Sequence, residues 1–289
     1  MTKYYHKMHS KPDLADTDGD GLWDSDEYFI YDGSIISGSD PFQPDTDDDG
    51  IDDYYDDEPL RYNAPGTVYN RQAAVEYAVT WGDGVDTDVK CYNEEFFIPI
   101  KEENGGNANE TGPDCANFVS QCVLSGNVKM NSEWYMIHPN NWYSDYAFID
   151  SNIKEIISNI DSGVKNDWHS ENGWVWSLSW GYDVDQYDYF KKYKKKKNTT
   201  ISITYDSFDK DMISAFDEGI RPGDIMYFID SSGLPGHVVF ITEVNTHKGY
   251  IKYAGHTNHT SGTILTSELI KDNGSSVEII SLDEVQLCL

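Results

Sequence analysis

The last quarter of the chain constrains its fold most. Four short apolar runs, Asp224–Phe228, His237–Val244, Tyr250–Tyr253 and one near Val277–Ile280, are separated by turn residues. Runs of that length, bounded by Gly, Asn, Asp and Ser, read as strands. Earlier in the chain the pattern is helical. Tyr69–Trp81 carries alternating Ala and Val, and in the stretch that opens at Cys115, Phe118, Val119, Cys122 and Val123 form an apolar side. Helices first and an antiparallel sheet afterwards predict an α+β domain, with the Cys115 helix packed on the sheet. A length of 289 residues with 38% hydrophobic content allows that domain plus a small appendage.

The charge distribution points to where the appendage lies. Residues 1–60 hold 18 acidic and 3 basic side chains, half of the formal net charge of −30. Such a segment repels itself unless cations bind, and its sign excludes nucleic acid as a partner. Its acidic residues are not scattered. Asp16, Asp18, Asp20, Leu22, Asp24 and Glu27 recur in the same register as Asp45, Asp47, Asp49, Ile51, Asp53 and Asp56. Both sets fit a calcium loop, in which oxygens at the first, third, fifth, ninth and twelfth places converge and a backbone carbonyl at the seventh joins them. Structural Ca2+ bound by residues 13–58 is therefore expected, as a unit that unfolds on chelation while the rest stays folded. In the second loop Asp56 stands where a longer Glu is usual.

Asp114-Cys115-Ala116-Asn117-Phe118-Val119-Ser120-Gln121 puts a cysteine at the start of a helix, directly after Gly112-Pro113-Asp114. Unpaired N–H groups and the helix dipole there favour thiolate and can bring a thiol below its usual pKa of ~8.5. Asp114 reads as the helix cap. His237 opens a strand, a rigid place from which to present a base. Cys122, two turns on, is expected to pack beneath the helix. Cys91 and Cys288 complete the four cysteines, too few for a disulfide scaffold. A zinc site from Cys115, His237 and His256 would lack the short ligand spacing of zinc motifs. Six tryptophans between residues 134 and 180 suit a core or a sugar- and peptide-binding wall. Lys191, Lys192 and Lys194–Lys197 suit a solvated helix end, or contact with an anionic wall polymer. No apolar stretch is long enough for a transmembrane helix, and Met1–Pro12 is unlike a signal peptide.

The motifs DCANFVSQ (114–121), SLSW (177–180), GDIMYF (223–228), GHVVFIT (236–242) and YAGHTN (253–258), in this order, resemble the Putative amidase domain family of Gram-positive bacteria. That family is grouped with papain-like and NlpC/P60-like cysteine hydrolases, and the similarity spans about residues 66–289. The resemblance implies a papain-like α+β domain in which Cys115 attacks a carbonyl carbon as thiolate. His237 takes the proton and returns it to the leaving amine, while His256 and Asn258 compete to orient the imidazole, His256 being preferred with Asn258 in support. The backbone N–H of Cys115 would help hold the oxyanion. The implied substrate is an amide bond in peptidoglycan or a related peptide. The competing functions are a protease or acyltransferase acting on proteins and a non-catalytic, calcium-dependent wall-binding module. Ser39–Pro44 resembles the linker of bacterial thrombospondin type 3-like repeats, tandem calcium-binding spacers. The expected setting is extracellular or wall-associated, the chain being either a fragment or a misassigned start of a longer exported protein.

Overall fold

The computed structural model describes residues 15–27, 29–31, 34–64, 66–82, 114–131, 133–137, 168–171, 174–193, 201–256 and 260–282. Before the Cys115 helix lie α1 (Asp24–Glu27), β1 (Phe29–Tyr31), β2 (Ser34–Ser37) and α2 (Arg71–Trp81). Then come α3 (Cys115–Ser125), β3 (Met136–Ile137), β4 (Trp168–Glu171), β5 (Trp174–Ser177), α4 (Leu178–Gly181) and α5 (Asp183–Phe190). The remainder comprises β6 (Ile201–Thr204), α6 (Phe208–Asp217), β7 (Ile225–Ile229), β8 (Pro235–Asn245), β9 (Tyr250–Gly255), β10 (Thr260–Ile264), α7 (Ser267–Asn273) and β11 (Ser276–Ile280).

Six strands form an antiparallel sheet in the order β10-β9-β8-β7-β11-β6. The chain is thus α+β, as its pattern predicts. All five residues of β7, Ile-Met-Tyr-Phe-Ile, are buried, because both faces of the sheet are covered. Ile225, Tyr227 and Ile229 point into one core with α2, α3, Val238 and Phe240. Met226 and Phe228 point into a second core with Val239, Ile241, Met212 and Ala215 of α6, and Ile270 of α7. This second helical layer was not foreseen in the sequence. Trp134 and Trp180 are fully buried in the first core, so these two aromatics of the insert are packing residues.

The helix α2 begins two residues inside its expected start. The Asn70 side chain accepts the Ala73 N–H at 2.8 Å and caps it, so Tyr69 lies outside. Its first residue, Arg71, has a side chain with no exposure and forms an ion pair with equally buried Asp224 at 2.7 Å. The guanidinium also donates to the carbonyls of Pro222 (3.1 Å) and Leu282 (2.8 Å). Asp224 in return accepts the N–H groups of Arg221 (2.9 Å) and Leu282 (3.1 Å). Removing one partner of a buried pair leaves an uncompensated charge and unfilled carbonyls. Arg71→Ala should destabilise the fold by about 3–5 kcal/mol, read by denaturant unfolding; a loss below about 1 kcal/mol, the level of a surface pair, would contradict this assignment.

Candidate functional site

From Cys115 to Val123 every residue of α3 is buried, and the polar ones are used to fix the helix in place. Asn117 accepts the Trp180 indole N–H at 2.7 Å. Ser120 donates to the Trp180 carbonyl at 2.9 Å and accepts the Trp134 indole at the same distance. Gln121 accepts the Tyr77 hydroxyl at 2.7 Å. Gln186, one turn into α5 and fully buried, donates to the Ala116 carbonyl (2.7 Å) and to Ser120 (2.8 Å), and accepts the Tyr227 hydroxyl at 3.2 Å. Gln186 and Tyr227 had no signal in the sequence beyond their types. They hold the N-terminal turn of α3 against α5 and β7.

Cys115 is the first residue of α3 and is 7% exposed. Burial pushes its thiol up to about 11; the carboxylates of Asp183 and Asp114 add to this, against hydrogen bonds from the Val238 and Ala116 backbones that favour thiolate. The depressed value expected from the helix start is therefore overridden by desolvation in this conformation. Cys122 is fully buried below it, as expected.

Asp114 occupies the N-cap position but makes no side-chain cap bond, which corrects the capping role. Its carboxylate is engaged elsewhere, by the Asn117 amide at 2.6 Å and by His256 Nδ1 at 2.8 Å. His256 is 1% exposed, stacks on Phe118 at 4.1 Å, and contacts the Trp81 carbonyl through Nε2 at 3.0 Å. Each ring nitrogen of His256 thus faces an oxygen, one of a carboxylate and one of a backbone carbonyl. His256 thereby ties the end of β9 and the end of α2 to the residue before Cys115.

His237 lies elsewhere. It pairs with Phe228 across β7 and β8, and the two rings are 5.8 Å apart. Phe228 belongs to the second core, whereas Cys115 and Val238 belong to the first. Side chains alternate along a strand, so His237 faces away from the thiol. Burial lowers its pKa and keeps it neutral near pH 7. Gly236 is the extra residue of a bulge, since Ile229 pairs with Pro235 and Phe228 with His237. Asn258, Cys91, Cys288 and Lys194–Lys197 lie outside the described residues. Of the described lysines in that run, Lys191 sits over the Tyr187 ring at 4.3 Å and Lys192 pairs with Glu133.

The two aspartate-rich segments repeat in space as well as in sequence. One oxygen each from Asp16, Asp18 and Asp20 lies within 4.8 Å of the others, and Asp45, Asp47 and Asp49 do the same. Gly21 and Gly50, at the sixth place, have φ of 109° and 93°, the left-handed turn only glycine adopts freely. Asp24 and Asp53, at the ninth place, each accept both the N–H and the hydroxyl of a threonine, Thr17 and Thr46, at 2.7–2.9 Å. They brace the loops, and neither belongs to the carboxylate triplets. Buried oxygens of Asp18, Glu27, Asp47 and Asp56 have no partner. Burial raises Glu27 to about 8 and Asp56 to about 6, with neighbouring loop carboxylates adding to the shift. Orphaned acidic oxygens of this kind fit a hard divalent cation. Cys115, His237 and His256 form no such cluster among the described residues.

For an acid whose folded pKa lies above pH 10, the thiolate fraction below it grows about tenfold per pH unit. Alkylation of Cys115 in the folded protein should therefore keep accelerating from pH 8 to pH 10, measured by peptide mass spectrometry. A plateau below pH 9 would contradict the buried-thiol assignment.

No curated protein and no solved structure is significantly similar to the chain. A family match covers most of it, including α3 and the six-stranded sheet. By that match, over residues 68–280, the chain belongs to the family described as Putative amidase domain.

Proposed function

We propose that the chain is a cysteine amidase or peptidase that hydrolyses amide bonds in cell-wall peptidoglycan or a related peptide. Family membership supports amidase-type hydrolysis. The observation that carries the cysteine mechanism is the setting of Cys115, at the first position of a fully anchored helix with backbone hydrogen bonds from Val238 and Ala116 to its sulfur. Cys115 Sγ attacks the carbonyl carbon, and its proton passes to a neutral imidazole and then to the departing amine. The thioester left on Cys115 is released by water. His256 holds Asp114, the residue before Cys115, at 2.8 Å and acts as a positioning residue.

His237 is the proton acceptor in this reading. Its neutrality suits the role, but its ring must cross to the Cys115 side. The N-terminal end of β8 can supply that movement. Pro235–Val239 pair with β7 and not with β9, and a one-residue shift at the Gly236 bulge exchanges the two faces of a strand.

The aspartate-rich loops are calcium sites in the same proposal. Asp16, Asp18, Asp20, the Leu22 carbonyl and Glu27 would hold one ion, and Asp45, Asp47, Asp49, the Ile51 carbonyl and Asp56 the other. Bound Ca2+ would neutralise carboxylates that otherwise repel each other. Millimolar extracellular calcium suits such loops, which favours an exported or wall-associated protein carrying thrombospondin type 3-like repeats. The relation to papain-like and NlpC/P60-like hydrolases belongs to this proposal as well.

Incubation with purified Gram-positive peptidoglycan in calcium, followed by mass spectrometry of soluble products, tests the activity. Muropeptides should appear with the unmodified protein and vanish with Cys115→Ala. His237→Ala should lower kcat by about 10²–10⁴. Products that persist with Cys115→Ala would overturn the cysteine mechanism. Unchanged turnover in His237→Ala would remove His237 as the base.

A further inference from the structure

The two loops do not stand apart from the sheet. Tyr54, at the tenth place of the second loop, sends its hydroxyl to Val244 of β8, donating to the carbonyl at 3.0 Å and accepting the N–H at 3.1 Å. The reason lies in the register. Strand β7 covers β8 through Phe240, and the chain just before β7 reaches Ile241 through Gly223 and Asp224. Beyond that point the β7-side edge of β8 has no neighbouring strand among the described residues, and a bulge between Ile241 and Glu243 offsets its pairing with β9. The Tyr54 phenol supplies both a donor and an acceptor where a strand would have done so.

Four other contacts border the same seam. Trp23 of the first loop stacks on His247 with ring centroids 3.7 Å apart and planes 6° from parallel. His247 also meets Asp26 at 2.8 Å. Arg221 reaches Asp57 at 2.8 Å and the Asp56 carbonyl at 2.5 Å. Within the loop pair, the Tyr54 N–H donates to Asp20 at 3.2 Å, so a carboxylate of the first loop fixes the backbone of the residue that grips β8. The Ser39 hydroxyl donates to Glu27 at 3.1 Å, tying the inter-loop linker to the first loop.

We infer that the two loops form one cation-dependent clamp on the β8–β9 hairpin, with Tyr54 and Trp23 as its gripping residues. The inference rests on the calcium reading above and extends it from a self-contained spacer to a brace of the sheet that carries the site. Without cations, the like charges of Asp16, Asp18, Asp20 and Glu27 repel, and the Asp20 carboxylate that holds Tyr54 is displaced. With cations the grip closes on Val244. The partner surface for the loops is therefore the far end of β8, on the same strand whose near end adjoins Cys115.

Amide hydrogen exchange of the full chain in calcium chloride and in a calcium chelator, alongside calorimetric calcium titration, tests this. Calcium should slow exchange of residues 241–247 by about tenfold or more. Tyr54→Phe keeps the ring and every proposed metal ligand, so it should still bind calcium and lose most of that slowing. Glu27→Gln should weaken binding and the slowing together. Calcium binding with no change at residues 241–247 would overturn the clamp and leave the calcium sites standing. An absence of binding in the unmodified chain would overturn both.

Discussion

The structure depends on the buried contact between Arg71 and Asp224. A guanidinium and a carboxylate without solvent exposure are tolerated because each is also hydrogen-bonded to backbone, at Pro222, Leu282 and Arg221. The pair fixes the start of α2 to the start of β7 and to the chain leaving β11. Tyr69, two residues earlier, adds a bond to the Gly223 carbonyl at 3.0 Å. Arg221, whose N–H is held by Asp224, extends its own side chain to the second acidic loop. One ion pair thus sets the geometry of the helix layer, the central strand and the loop segment.

The site is built on the face that this pair organises. Helix α3 lies over β8, and its polar residues are bonded to α2, α4 and α5, which leaves Cys115 at a rigid helix start. The same burial that makes the helix rigid keeps the thiol protonated. His256 and Asp114 are bonded to each other beside it, and His256 is held at its other nitrogen by the Trp81 carbonyl. An enzyme of this design would need substrate, or a shift at the end of β8, to bring a neutral imidazole and the sulfur together. That separates a stable resting thiol from an activated one.

Much of the sheet was legible because its strands are apolar runs cut by turns, and the Cys115 helix because its apolar side repeats at helical spacing. What was hidden depended on contacts across long sequence separations. Arg71 reads as an ordinary charged residue at a helix start until Asp224, Pro222 and Leu282 surround it. Asp114 reads as a cap because short acidic side chains before helices usually are, and His256 reaches it from 142 residues away. The sidedness of His237 turns on a single extra residue, Gly236, and no periodicity in the sequence announces a bulge. The acidic repeats were legible in register, but the threonine contacts of Asp24 and Asp53 at the ninth place had no signal in the sequence. The grip of Tyr54 on Val244 had no signal, since a tyrosine in an acidic loop gives no hint of an open strand edge elsewhere.

The central claim is that Cys115 carries the acyl group during amide hydrolysis. It is tested most directly by acid-quenching the protein during turnover of soluble peptidoglycan fragments and mapping the mass of its cysteine peptides. The account predicts an acyl adduct on the Cys115 peptide that decays as product accumulates. Turnover with no adduct on that peptide under any quench time would contradict it.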